Sequence, residues 1–282
     1  MPELPEVETI ARSLRPLLVG RQILSAEVRW PRTIAAPSVR AFKRQIQGQV
    51  IADVSRRAKF LHIRLSTYHL LIHLRMSGDL QMRPGQGRPE KHDRLMLVLS
   101  DQPADGSSNH SGLAGRPAAL LVFNDTRKFG RAWLTEELAA VTSGLGPEPL
   151  SRGFTPHVLF DRLQGRRRRL KPLLLDQTFL AGLGNIYTDE ALHLARLHPL
   201  KLSQAVTRLQ AYRLHEAIRS VLREGIRRNG ASIDWVYRGG EFQNHFRVYD
   251  RAGKPCPACG TTIKRLVVGQ RGTHICPRCQ RM

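Results

Sequence analysis

The sequence predicts an α+β chain: one leading helix, then an antiparallel β-sandwich or barrel, then a helical region that ends in short strands and turns around four cysteines. Three observations predict it. Apolar residues recur at helical spacing over residues 7–18, short β-prone runs separated by breakers follow to about residue 135, and helical spacing returns beyond a Pro/Gly-rich linker. With 282 residues, 41% of them hydrophobic, there is room for about two domains with cores of their own. That composition excludes a peptide hormone or a disordered tail.

Taken in order, Val7, Ile10, Ala11, Leu14, Leu17 and Leu18 form the stripe of an amphipathic helix that Gly20 could end. Runs at 23–29, 50–55, 60–65, 70–74, 95–99, 119–123 and 132–134 read as strands. Residues 101–117, rich in Gly, Ser, Pro and Asp, read as a mobile hairpin insertion. The segment Ser143-Gly-Leu-Gly-Pro-Glu-Pro-Leu150 carries two prolines and two glycines and lies in the linker placed at 137–150. Helices are expected near 156–163, 172–180, 186–195 and 205–228. The last of these has a stripe at Leu214, Ala217, Ile218, Val221, Leu222 and Gly225.

Lys plus Arg number 45 against 23 Asp plus Glu, a net charge of +22 that calls for a polyanionic partner. Of the cations 37 are Arg, a bias that suits bidentate phosphate and base contacts and that a GC-rich genome would also produce. Residues 201–282 hold 16 Lys or Arg against 5 Asp or Glu, so phosphate contacts are expected toward the carboxyl end. The longest purely apolar run has six residues, far below the roughly 18 that a bilayer-spanning helix needs, so a transmembrane helix is excluded. The acidic opening lacks the basic and apolar regions of a secretory signal, and the chain is read as cytosolic.

Cys256-x2-Cys259 and Cys276-x2-Cys279 have the spacing of a four-thiolate zinc site. Four thiolates fill the tetrahedron, so one structural Zn2+ is expected; iron, a redox pair or unrelated cysteines are the alternatives. Lys264, Arg265, Arg271 and Arg278 make the intervening segment a basic hairpin. In Leu180-Ala-Gly-Leu-Gly-Asn-Ile-Tyr187, a turn with exposed amides feeds a helix amino terminus, which suits a phosphate. Two glycines and an Asn equally suit an ordinary turn between helices. Lys171 and the arginines at 166–169 favour the phosphate reading, although such charge runs often only face solvent.

Further motifs complete a pattern: Met1-Pro-Glu-Leu-Pro-Glu-Val-Glu-Thr9, Ala58-Lys59, His73-Leu-Arg-Met-Ser-Gly78, Asn124-Asp-Thr-Arg-Lys-Phe-Gly130 and Leu175-Asp-Gln177. Together with the glycine turn and the cysteines, in this order from end to end, the chain resembles bacterial formamidopyrimidine-DNA glycosylase. The resemblance implies an amino-terminal catalytic β-sandwich over 1–136, a helix-two-turn-helix domain over 151–240 and a zinc-finger hairpin over 241–282. Damaged double-stranded DNA would lie in the cleft between them, with the protein acting as a monomer in the cytoplasm, at the nucleoid.

The implied activity is that of a glycosylase and AP lyase removing oxidised purines such as 8-oxoguanine and formamidopyrimidines. Pro2, freed by loss of Met1, would attack C1′ as a secondary amine; an α-amino group titrates near about 8, so part of it is unprotonated at neutral pH. The resulting imine permits β- and δ-elimination. Glu3 is the implied proton-transfer carboxylate, although Glu3, Glu6 and Glu8 also suit ordinary helix capping. Lys59, expected on a strand after Arg56 and Arg57, is a catalytic cation by resemblance and a solvated strand charge by default. Lys171, Asn185, Arg271 and His92 are implied DNA contacts. Met76, Arg127 and Phe129 match the residues that fill the hole left by an everted base, against a bland reading as core and surface. Residues 229–245, where the family places a loop over the everted base, form a shorter segment than in many members, with Ala231 and Ser232 where threonines are common. Two rivals remain: an endonuclease VIII-like enzyme for oxidised pyrimidines, and a non-catalytic zinc-ribbon DNA-binding protein.

Overall fold

The computed structural model describes residues 2–85, 87–103, 117–232 and 239–282. Most of the expected insertion, and the centre of the segment expected to cover an everted base, lie outside the described residues. The chain divides into two compact units. The first holds Pro2 and Val7–Ser143; the second holds Glu3–Glu6, Gly144 to Ser232 and the described residues from Gly239 onward. No helix among the described residues is long and apolar enough to cross a membrane.

Helix α1 (Leu4–Leu18) begins three residues earlier than its stripe. In the first unit a four-stranded antiparallel sheet has β1 (Arg21–Val28), β7 (Asp93–Pro103), β8 (Pro117–Asp125) and β6 (Gly78–Pro84) in that order. The five-stranded sheet runs β2 (Ile34–Ala36), β9 (Arg131–Thr135), β5 (His69–His73), β4 (Phe60–Leu65) and β3 (Ile51–Arg57). Only β2 and β9 are parallel within it. One core takes Leu61, Ile63, Leu70 and Ile72 from one sheet, Leu95, Leu97, Leu121 and Phe123 from the other, and Val7, Leu14 and Leu18 from α1. That is the inward half of the period-2 pattern of a sandwich, with one helical stripe laid on the same core.

Several expectations need correction. β7 and β8 extend through Pro103 and from Pro117, so the ends of the 101–117 segment belong to strands. β2, β6 and α2 (Val39–Ile46) were not expected. Ser38 starts α2 by accepting the Ala41 amide, and only Phe42 and Ile46 are buried from it. Lys59 is not on a strand: β3 ends at Arg57, and Ala58 and Lys59 form the two-residue turn into β4.

In the second unit, after the single turn α3 (Ala139–Thr142) that closes the first, come α4 (Pro156–Gln164), α5 (Leu170–Leu175), α6 (Asn185–Leu194) and α7 (Arg208–Arg227). The helix expected at 172–180 instead starts before Pro172 and stops at Leu175. A proline in the first turn loses no bond, and the Asp176 carboxylate takes the Thr178 amide into a tight turn. The helix expected from 205 starts at Arg208, because Thr207 and Gln210 close a capping box there. At the carboxyl end β10 (Lys264–Val268) and β11 (Arg271–Ile275) pair in a hairpin. Gly269 and Gln270 both have positive φ, 58° and 61°, as a two-residue hairpin turn of the type I′ kind requires, and Arg271 follows that turn directly.

Candidate functional site

The opening residues form a carboxylate cluster in the second unit. Glu3 Oε2 accepts the Gly184 amide at 2.6 Å, and Oε1 accepts the Ile186 amide at 2.9 Å. These donors lie at the amino terminus of α6, where unpaired amides and the helix dipole favour an anion. The protein thus fills the turn expected to hold a phosphate with its own carboxylate. A Cβ on Gly184 would come 2.2 Å from Glu3 Cδ, so the close approach depends on glycine.

Of the three carboxylates that suit helix capping, Glu3, Glu6 and Glu8, it is Glu6 that caps α1. It reaches back to the Glu3 amide at 2.8 Å and also accepts from the Tyr187 hydroxyl at 2.7 Å and the Ala231 amide at 2.8 Å. Burial pushes its carboxyl above the usual range, against the pull of those donors. Ala231 serves Glu6 through its backbone, a contact that does not depend on its side chain. In the first unit, burial works to raise Glu8, but Arg56 at 2.9 Å and Arg12 at 2.7 Å hold it below the usual range. Pro2 is buried.

Lys59, in its turn, is only 5% exposed, which sets aside the solvated strand charge. His73 is the residue that sequence reasoning passed over, although it opens a quoted motif. Burial, then the charges of Arg75 and Lys59, push its imidazole down to about 3, and its Nδ1 accepts the Arg75 amide at 3.0 Å. The ring is therefore neutral at ordinary pH and carries its hydrogen on Nε2.

Met76, Arg127 and Phe129 lie at the same end of the four-stranded sheet. Gly78 pairs with Asp125, which sets the turn before β6 beside the loop after β8. Asp125, 1% exposed, organises both: its carboxylate accepts the Ser77 hydroxyl, the Arg127 amide at 3.1 Å and the Gly130 amide at 2.7 Å. Met76 and Phe129 are exposed, and the Arg127 guanidinium stands 5.0 Å from the Phe129 ring centroid. Exposed apolar side chains on braced loops do not fit the bland core reading. His92 is tied to the same end: its carbonyl accepts the Asp125 amide at 2.9 Å, and its Nδ1 lies 3.2 Å from Arg94.

In the second unit Lys171 is fully buried. Its ammonium donates to Asp189 Oδ1 at 2.6 Å and to the Gly272 carbonyl at 3.0 Å. Burial pushes it below the usual lysine range, against the attraction of Asp189. The Asn185 amide nitrogen donates to the same carbonyl at 3.0 Å, and the His274 amide donates to Asp189 at 2.8 Å. Lys171 and Asn185, expected on phosphates, thus hold the hairpin that presents exposed Arg271. The turn from 180 to 184 is braced by Gln177, which accepts from Gly182 and donates to Leu183, both at 2.9 Å. Gln177 was visible in the motif; Asp189 carried no local signal.

The four cysteine sulfurs all lie within 4.8 Å of one another, with Cys259 3.4 Å from Cys276 and 3.5 Å from Cys279. Tetrahedral zinc with Zn–S near about 2.3 Å needs sulfurs roughly 3.8 Å apart, so the quartet fits one Zn2+ with no open position.

Family comparison matches the chain in three pieces: the formamidopyrimidine-DNA glycosylase N-terminal domain at 1–132, the H2TH domain of the same glycosylase at 145–236, and a zinc finger found in FPG and IleRS at 253–281. A formamidopyrimidine-DNA glycosylase from Chloroflexus aurantiacus is 47% identical over 99% of this chain and 98% of its own. The Lactococcus lactis Fpg solved with abasic-site DNA is 33% identical, with a TM-score of 0.88 over the whole of both chains. MutM solved with carbocyclic 8-oxo-G DNA is 34% identical, with a TM-score of 0.87 over the whole of both.

Proposed function

The chain belongs to the formamidopyrimidine-DNA glycosylase family, and on that premise we propose how its own residues act. It is a base-excision-repair DNA glycosylase with AP lyase activity, it removes oxidised purines from damaged DNA, and it carries one structural zinc.

Pro2 is the nucleophile. Its nitrogen, freed of Met1, bonds to C1′ as the C1′–base bond breaks and the base leaves with that electron pair. The proton shed by the amine passes through Glu3 to the ring oxygen O4′, which opens the sugar and leaves a cationic imine. Loss of a C2′ proton then expels the 3′ phosphate, a second elimination expels the 5′ phosphate, and water releases Pro2. The observation that carries this reading is Glu3: next to Pro2 in sequence, it is held at both oxygens by the Gly184 and Ile186 amides, an arrangement that fixes the orientation of its carboxyl group.

Buried Lys59 places a positive charge in a fixed turn, suited to the lesion or its adjacent phosphate. Met76 and Phe129 are the apolar wedge and Arg127 the donor to the orphaned partner base, supported by the braced loops that expose them. His92, Asn185 and Arg271 contact the DNA backbone, with Lys171 securing the Arg271 hairpin through Gly272. One chain carries nucleophile, wedge and phosphate contacts, so a monomer suffices. Borohydride reduction during turnover of an 8-oxoguanine duplex should trap a covalent adduct whose cross-linked peptide starts at Pro2. A cross-link on Lys59 or Lys171 overturns the mechanism.

A further inference from the structure

Helix α6 is buried from Ile186 to His193 and carries polar side chains one turn apart on one face. Its first turn holds Glu3 and its Asp189 holds β11. One turn further on, His193 Nε2 lies 3.4 Å from the sulfur of Cys256. His193 is 4% exposed, and its other ring nitrogen, Nδ1, has no protein partner among the described residues. His193 also lines a cavity of ≈ 290 Å³ with Arg196, Arg247 and Cys279. Arg247 Nη1 likewise lacks a hydrogen-bond partner, so water in that space has a donor and an acceptor to meet.

We propose that His193 donates its Nε2 hydrogen to the Cys256 sulfur and thereby couples zinc retention to α6. A zinc-bound cysteine is a thiolate and can only accept, so the contact requires the tautomer protonated at Nε2; Nδ1 is then a bare acceptor facing the cavity. A charge-assisted bond of this kind steadies the excess negative charge of four thiolates on one Zn2+ and fixes the orientation of the ligand. His193 acts through Cys256 and is a positioning residue for the metal.

The test uses the full-length protein. In competition with a chromogenic chelator, His193→Phe, which keeps the ring and loses the donor, should hold zinc about 10- to 100-fold more weakly, and His193→Gln, which keeps an N–H donor, should recover most of that loss. In the cobalt-substituted protein, the sulfur-to-cobalt charge-transfer band of His193→Phe should move to longer wavelength, because a thiolate relieved of a hydrogen bond gives up charge more readily. Nitrogen-15 spectra of the wild-type imidazole, which need no variant to fold, should show the hydrogen on Nε2. Wild-type zinc affinity and an unmoved band in His193→Phe overturn the proposal, as does an imidazole protonated only at Nδ1.

Discussion

Gly184→Ala isolates the position of Glu3 from its chemistry, because it removes no titratable group. The new Cβ would stand 2.2 Å from Glu3 Cδ and 2.4 Å from Oε1, where ordinary contact begins near about 3.4 Å. The carboxylate must therefore retreat by more than an ångström. That carries its bonds to Gly184, at 2.6 Å, and Ile186, at 2.9 Å, out of range. Hydrogen bonds to a charged group contribute about 1.5–3 kcal/mol each, and water admitted beside the displaced carboxylate returns part of the two that are lost. A net destabilisation of roughly 2–4 kcal/mol is expected in urea unfolding. Backbone strain adds nothing, since Gly184 is extended, with φ of −130°. A displacement of this size in a proton-transfer group lowers rates by about 10² or more, whereas duplex affinity, which comes from phosphate contacts, should hold within a few-fold. The assay is single-turnover release of 8-oxoguanine beside a binding titration at fixed salt. A wild-type excision rate in Gly184→Ala would refute the argument that the amides of this turn hold Glu3 in its working position.

Four further outcomes follow from the same geometry. Protein that keeps Met1, or carries an amino-terminal tag, should bind lesion DNA yet give no borohydride-trapped adduct; an adduct of normal yield would exclude Pro2. Phe129→Ala should slow base extrusion in stopped-flow measurements and leave duplex affinity largely intact, while Arg127→Ala should also relax discrimination of the opposite base; wild-type extrusion in Phe129→Ala would remove it from the wedge. Cys276→Ser should lose zinc by elemental analysis and weaken DNA binding, because the hairpin that carries Arg271 loses its anchor; full binding without metal contradicts this. For His73 the unfolded imidazole titrates near about 6.5 and the folded one at about 3, so the unfolded state binds the proton first as pH falls. Its contribution to stability is complete above the unfolded value and is lost on descent toward 3, at up to about 1.4 kcal/mol per pH unit. His73→Asn should flatten the wild-type stability profile over that window, and parallel urea profiles would deny the burial its role.

What the sequence made readable had its cause in nearby residues. Cys-x2-Cys spacing fixes a knuckle whatever surrounds it, and alternation at 60–65 and 70–74 marks strands because one face of each meets the core. β2 has three residues and pairs through its backbone with β9, so it leaves almost no side-chain pattern. α2 buries only Phe42 and Ile46 among its cations, too narrow a stripe to stand out. The start of α7 was misplaced because its boundary is set by the side chains of Thr207 and Gln210 and not by hydrophobicity.

The site was readable in its residues and silent in their relations. Glu3, Gly184 and Ile186 were all in quoted motifs, yet nothing at 181 residues' separation says that the carboxylate occupies the very amides that suit a phosphate. Lys171 misleads for the same reason: a lysine in a basic stretch reads as a free cation until Asp189, eighteen positions on, appears beside it at 2.6 Å. Helix α6, buried from Ile186 to His193, concentrates these relations. A helical stretch buried on every side should be apolar, and this one carries Asp189, Glu190 and His193. These three have partners that offset their burial: Lys171 and the His274 amide for Asp189, the amides of Arg247, Val248 and Tyr249 for Glu190, and Cys256 for His193; the Thr188 hydroxyl, buried beside them, has none among the described residues. Polar residues on a buried helix are therefore addresses for distant segments, and the first-turn amides of the same helix are the address for Glu3. A substitution on α6 that spares its helical propensity, such as one at Asp189, should for that reason disturb the hairpin and Arg271 before it disturbs the helix.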